Sequence, residues 1–163
     1  MSEMKIEAAE FRQVLGNYPT GVTVITAMDA DGRPCGLVVG TFTSVSLDPP
    51  LVGFLPDKRS SSWPAVEQAG QFCVNILAAD QTDLCRKVSV SGPDKFAGVE
   101  YTLSAHNLPI LTGAMVSIQC KLESVTEAGD HWFVLGRVLG LEAHRDDADP
   151  MLFFRGKYGS FSA

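Results

Sequence analysis

The chain has 163 residues, 45% hydrophobic and 20% charged, enough for one domain (residues 1–163) with a full core and too apolar for broad disorder. A net charge of -6 excludes nonspecific attraction to nucleic acid or to acidic membrane surfaces. No stretch approaches the roughly 20 apolar residues of a membrane span, and residues 1–10 lack the apolar core of a signal peptide, so a cytoplasmic protein is expected. In chain order, Phe11, Val14, Leu15 and Tyr18 share a helical face that stops at Gly16-Asn17. Gly21–Met28 is a β-branched strand, and Asp29-Ala30-Asp31-Gly32 turns it into a second strand over Cys35–Ser46. Asp48-Pro49-Pro50 forbids helix and separates that strand from a third, Leu51–Leu55. A helix follows over Trp63–Ala69, then a strand over Phe72–Leu77. A second helix starts at Asp80 as its cap, with Leu84 and Val88 on one face, and breaks at Ser91-Gly92-Pro93-Asp94. Met115–Thr126, a turn at Glu127-Ala128-Gly129-Asp130, His131–His144 and Met151–Phe154 complete the chain as strands. This spacing predicts a mainly β closed barrel with peripheral helices.

Chemistry concentrates at Lys58-Arg59-Ser60-Ser61-Ser62, just before the helix at Trp63-Pro64. Serine caps free helix amides, and such amides bind phosphate, the more so beside two cations. The hydroxyl-rich strand before it suits a flat, phosphorylated cofactor. Other motifs fall away. Cys35, Cys73, Cys85 and Cys120 lack zinc or disulfide spacing, and Cys73 and Cys120 read as small core residues. Gly16 to Gly21 has P-loop spacing without the lysine, and no Gly-x-Gly-x-x-Gly is present. His106 and His144 read as surface, Trp63 as core or interface, and Asp146-Asp147-Ala148-Asp149 as a solvated turn, so no metal site is expected. From His131 to Val138 both strand faces are largely apolar, which asks for cover on both sides, the second from another subunit.

Several blocks in order resemble the short-chain flavin reductase family. They are Pro19–Thr26, Phe42–Val52, Phe72–Leu77, Asp94-Lys95-Phe96, Gly129-Asp130-His131 and Pro150–Tyr158. The resemblance implies an FMN-binding split β-barrel of Greek-key type, a homodimer, and hydride transfer from NADH or NADPH to FMN or FAD. Reduced flavin would then serve a flavin-dependent monooxygenase. It implies that Val39, Gly40, Thr41, Phe42, Thr43 and Ser44 run along the isoalloxazine ring and that Lys58, Arg59, Ser60, Ser61 and Ser62 hold the phosphate. Phe96 and the Ala79–Gln81 corner would line the site, His131 would stack near the nicotinamide, and Arg155 and Tyr158 would meet the rest of NAD(P)H. Members often carry Thr at the position of Val38 and Ser or Asn at that of Gly40. Here ring contacts therefore fall to backbone amides and Thr41, with Gly40 allowing close approach. Two readings from other classes stay open at this level, a non-catalytic flavin-binding protein and a split-barrel interaction module.

Overall fold

The structure is a computed structural model and describes residues 3–162. Helix α1 (Ala8–Leu15) precedes β1 (Thr20–Gly21), β2 (Thr23–Met28), β3 (Pro34–Val39), β4 (Thr43–Ser46) and β5 (Leu51–Phe54). Helix α2 (Trp63–Ala69), β6 (Gln71–Ile76), a 3-10 turn at Ala79–Gln81 and α3 (Thr82–Val88) follow. The rest is β7 (Tyr101–Leu103), β8 (Pro109–Leu111), β9 (Val116–Ala128), β10 (His131–Ala143), β11 (Met151–Phe154) and β12 (Lys157–Ser160). No helix among the described residues is long and apolar enough to cross a membrane.

Seven antiparallel strands pair in the order β3-β2-β6-β9-β10-β5-β4, with β1-β11-β12 and β7-β8 as small separate sheets. The barrel is split, not closed, because β3 and β4 end the order without pairing to each other. The single strand expected over Cys35–Ser46 is thus two strands, and Gly40–Phe42 carries the chain from one edge of the split to the other.

Local chemistry explains the connections. Asp29 Oδ1 accepts the amides of Asp31 and Arg33 at 2.9 Å each, and Gly32 takes φ 75°, so the β2–β3 turn is an aspartate-templated hairpin. Gly129, at φ 63°, turns β9 into β10. Helix α2 has proline in its first turn, as its sequence predicts, and ends at left-handed Gly70. Helix α3 departs from expectation. Asp80 does not cap it; the Asp80 carboxylate instead binds Arg145 at 2.7 and 2.9 Å, and a 3-10 turn intervenes before Thr82. Strands β7, β8 and β12, at three or four residues, were too short to carry a period-2 signal.

Strand β2 is buried on both faces and divides the core. Ile25 joins Phe54, Trp63, Phe72 and Val134 inside the barrel, where Phe54 meets Trp63 and Phe72 edge-on at 5.7 and 5.2 Å. Val24 joins Leu77, Cys85, Val88 and Met151 beneath α3. Trp63 is therefore core. Cys73 and Cys120 are buried, and burial pushes both thiols up to about 12, so they stay protonated.

A buried amide joins the layers. Asn75 Nδ2 donates to the Val24 carbonyl at 3.1 Å and to Thr26 Oγ1 at 3.0 Å, while Asn75 Oδ1 accepts the Leu111 amide at 2.9 Å. Asn75→Ala strips these partners inside the core and is expected to cost about 2 kcal/mol, read as a lower urea midpoint with unchanged slope. An unchanged midpoint would show the clip contributes nothing.

Candidate active site

A cleft of about 500 Å³ opens where the β3 edge, the Leu55–Ser62 segment and the end of α3 converge. Its floor is Leu37 to Thr41, its far wall is Asp57, Arg59 and Ser60 to Ser62, and its rim is Val88 to Ser91 with Lys95 and His131.

The β3 edge supplies donors by register. The Asp29 amide bonds the Arg33 carbonyl at 2.8 Å, and antiparallel pairing continues through Ala27/Cys35, Ile25/Leu37 and Thr23/Val39. Hydrogen-bonded pairs alternate, so the amides of Val38 and Gly40 turn away from β2 toward the cleft. With β3 an edge strand, those groups have no ladder partner. Thr41 lines the cleft with its hydroxyl engaged within the chain. Its hydroxyl accepts the Leu55 amide at 2.9 Å and pins the crossing segment to the end of β5. At Gly40 a Cβ would meet Thr20 Oγ1 at 2.9 Å, so a side chain there would crowd β1 and the residue meets the cleft through its backbone.

The opposite wall is built from hydroxyls and cations. Ser60 Oγ accepts the amides of Ser62 and Trp63, both at 3.2 Å, which uses helix-start donors that the sequence reading had assigned to phosphate. Side chains are left to face the cleft. Lys95 Nζ donates to Ser62 Oγ at 2.8 Å, and no carboxylate among the described residues pairs with it. It is half-buried, and burial pushes its pKa below the ordinary lysine value. Arg59 is spent on Asp57, which it holds down to about 2 through their hydrogen bonds. An anion would therefore find Lys95 the freer charge.

His131 enters from the start of β10. Its Nδ1 lies 2.7 Å from Asp130 Oδ1, and this bond keeps the Asp130 carboxyl below its usual range. The Trp132 amide to the Pro56 carbonyl and the Lys58 amide to the Asp130 carbonyl, at 2.9 and 3.0 Å, fasten that strand start to the cleft wall. A neighbouring hollow, lined by Ile6, Ala8, Phe11 and Arg12 of the α1 region, shares Asp57, Arg59 and His131 with the cleft.

Of the sequence-predicted residues, the cleft gathers Val39, Gly40, Thr41, Arg59, Ser60, Ser61, Ser62 and His131. Others lie elsewhere in the single chain. Phe42 packs inward on the barrel core, and Thr43 and Ser44 sit exposed on β4. Lys58 Nζ binds Glu127 at 2.8 Å and rides over the Trp132 ring at 4.7 Å. Phe96 is buried in the α3 core, and the Ala79–Gln81 corner is absent from the cleft lining. Arg155 bonds Asn17 at 2.9 Å, and Tyr158 OH lies 3.5 Å from Cys85 Sγ, both on the β11–β12 hairpin. The sequence reading missed Lys95, Asp57 and Ser89 to Ser91 as lining residues. Lys95 stood inside a recognised block, beside a break rich in serine and glycine, which was the available signal.

The chemistry of the cleft fits a flavin phosphate and ring: outward amides on one side, a half-buried ammonium without a carboxylate among serine hydroxyls on the other. Comparison with known proteins agrees. The flavin reductase like domain model matches residues 15–162. A flavin reductase of Pseudomonas putida is 51% identical over 158 residues, covering 97% of this chain and 92% of that protein. Nitrilotriacetate monooxygenase component B from Mycobacterium thermoresistibile superposes with TM-score 0.90 at 42% identity, covering 94% of this chain and 86% of that one. The NADH:FAD oxidoreductase SgcE6 of Streptomyces globisporus C-1027, solved with NAD and FAD fragments, gives TM-score 0.89 at 30% identity over 99% and 98% of the two chains. With the split barrel, the edge-strand cleft and near full-length matches in agreement, the chain belongs to the flavin reductase like domain family.

Proposed function

We propose that this NAD(P)H-dependent flavin reductase holds FMN or FAD along the β3 edge and passes the reduced flavin to a separate flavin-dependent monooxygenase. The carrying observation is the facing of the Val38 and Gly40 amides by Lys95, a half-buried cation without a carboxylate. The amides orient the polar edge of the ring, while Lys95 with Ser61 and Ser62 receives the phosphate. Flavin, once bound, supplies a ring that accepts hydride from the nicotinamide. The protein's own part is positioning. His131, steadied by Asp130 and by the strand bridge at Asp57, holds the nicotinamide against that ring. The hollow beside α1 gives the dinucleotide an open approach to His131. No protein acid or base is needed, and the buried thiols of Cys73 and Cys120, protonated at neutral pH, offer none.

The same reading includes a homodimer in the cytoplasm. Helix α1 buries no residue, and its Phe11, Val14 and Leu15 are all more than half exposed. Leu139 and Leu141 of β10 are also uncovered. These faces suit a second copy of the chain, the cover that the two-sided apolar pattern of β10 calls for.

Anaerobic loss of NADH absorbance that requires added flavin tests the function. His131→Ala is expected to lower kcat/KM for NADH about tenfold with the flavin Kd unchanged within about twofold. Wild-type kinetics in that variant would remove His131 from the nicotinamide site, and flavin binding without NADH oxidation would leave a non-catalytic flavin-binding protein.

A further inference from the structure

Lys95 stands apart from the other lysines of the chain. Lys5, Lys58, Lys87, Lys121 and Lys157 are exposed, whereas Lys95 is half-buried. Lys5 and Lys58 pair with Glu7 and Glu127, and Lys87 donates to the Ala97 carbonyl. Lys95 Nζ donates to Ser62 Oγ at 2.8 Å, where the cleft meets a second hollow of about 320 Å³ that shares Ser61, Ser62 and Lys95 with it. The two sides of this amine differ in chemistry. On the cleft side, Ser61, Ser62 and Ser91 offer hydroxyls opposite the outward amides of Val38 and Gly40. The hollow holds the Asp29 carboxylate, with Arg33 already drawn to Asp29 and Asp31, and Pro34, Ala65, Pro93 and Phe96 add apolar walls. It therefore disfavours an anion and admits a small uncharged group.

We propose that Lys95 is a modification site that takes the acyl group of a small acyl phosphate, and that its acylation closes the cleft to flavin. The proposal rests on the reading of the cleft hydroxyls and amides as a phosphate site. In an acyl phosphate the reacting carbon is one oxygen away from phosphorus, so an amine beside the bound phosphate is also beside that carbon. The neutral amine of Lys95 adds to the acyl carbon, the carbon–oxygen bond to phosphate breaks, and inorganic phosphate leaves with that electron pair. The surplus proton of the amine passes to phosphate or water, and no oxidant or reductant takes part. Burial, which lowers the Lys95 pKa, enlarges the share of neutral amine at a given pH. The acyl group turns toward the hollow, whose apolar walls meet its methyl. The amide product carries no charge, which removes the cation that the flavin phosphate meets.

Treating the wild-type chain with acetyl phosphate, without added flavin, and following each lysine by mass spectrometry tests the idea. Lys95 is expected to acetylate about tenfold faster than the exposed Lys121 and Lys157, and FMN or inorganic phosphate is expected to protect Lys95 alone. The chain acetylated at Lys95 is expected to bind FMN about 30-fold more weakly, as Lys95→Ala does. With 4-nitrophenyl acetate, which delivers the same acyl group without a phosphate, the preference for Lys95 is expected to narrow. Acetylation of Lys95 no faster than of Lys157 overturns the proposal. So does a preference that FMN and phosphate leave unchanged, or that 4-nitrophenyl acetate reproduces in full, since either gives the selectivity to the amine and not to a bound phosphate. These outcomes leave the flavin-phosphate reading standing where Lys95→Ala still weakens FMN. An unchanged FMN Kd in that variant defeats the reading itself, and the proposal with it.

Discussion

Lys95→Ala is expected to raise the Kd for FMN about 30-fold, equivalent to about 2 kcal/mol for a charge-assisted bond to phosphate. The size follows from its surroundings. Lys95 is half-buried, bonded to a neutral hydroxyl and not to a carboxylate, so water screens its charge only in part and no opposite charge satisfies it. Lys58→Ala makes the control. That ammonium is tied to Glu127 and lies over Trp132, so its loss is expected to change the FMN Kd by less than about twofold. The pair of measurements separates two lysines that the sequence alone would rank the other way.

The same residue predicts a pH dependence with a definite sign. Burial lowers the Lys95 pKa below 10.5, so the free protein loses this charge at a lower pH than an exposed lysine would. A bound phosphate favours the charged form. FMN affinity is therefore full below the lowered pKa and falls as pH rises through it, and this alkaline fall is absent in Lys95→Ala. An equally steep fall in the variant would assign the titration to another group.

Gly36→Ala is expected to destabilise the fold by about 3 kcal/mol or more, seen as a drop of about 6–12 °C in Tm. A Cβ at Gly36 would overlap the Ile25 carbonyl oxygen and stand 3.0 Å from its carbon and 3.2 Å from Thr26 Cα. All three atoms are backbone of β2, the strand that divides the core, so no rotamer change relieves the clash. The small entropic gain of alanine over glycine in the unfolded chain, about 0.4–1 kcal/mol, does not offset it. Because β3 carries the cleft amides, flavin affinity is expected to fall with stability. A wild-type Tm would mean that β2 and β3 separate at little cost.

The placement of Lys58 and Lys95 shows where reading residues in order reaches its limit. Lys58-Arg59 adjoins the serine cluster in sequence, which made both look like phosphate ligands. Yet the Asp57–His131 bridge sets this segment beside the β9–β10 hairpin, and Lys58 swings to Glu127 while Arg59 is taken by Asp57. Lys95, 33 positions beyond Ser62, arrives by tertiary folding. Thr41 teaches the same lesson, since its partner Leu55 lies across the split. The β11–β12 hairpin keeps Arg155 and Tyr158 on Asn17 and Cys85, outside the cleft of a single chain.

What the sequence determined by itself was much of what local chemistry decides, the start of α3 apart. Proline marked the start of helix α2 and of β5; Asp29 and Gly32 marked the hairpin after β2; ordered blocks along the chain marked the family. These signals survive in sequence because they depend on near neighbours and side-chain periodicity. Only the tertiary structure decided that Cys35–Ser46 breaks at Gly40–Phe42 to leave the barrel split, which edge amides face the opening, and which cation remains unpaired to meet an anion. Those outcomes depend on strand register and on competition among distant charges, and neither is encoded in any local stretch of residues.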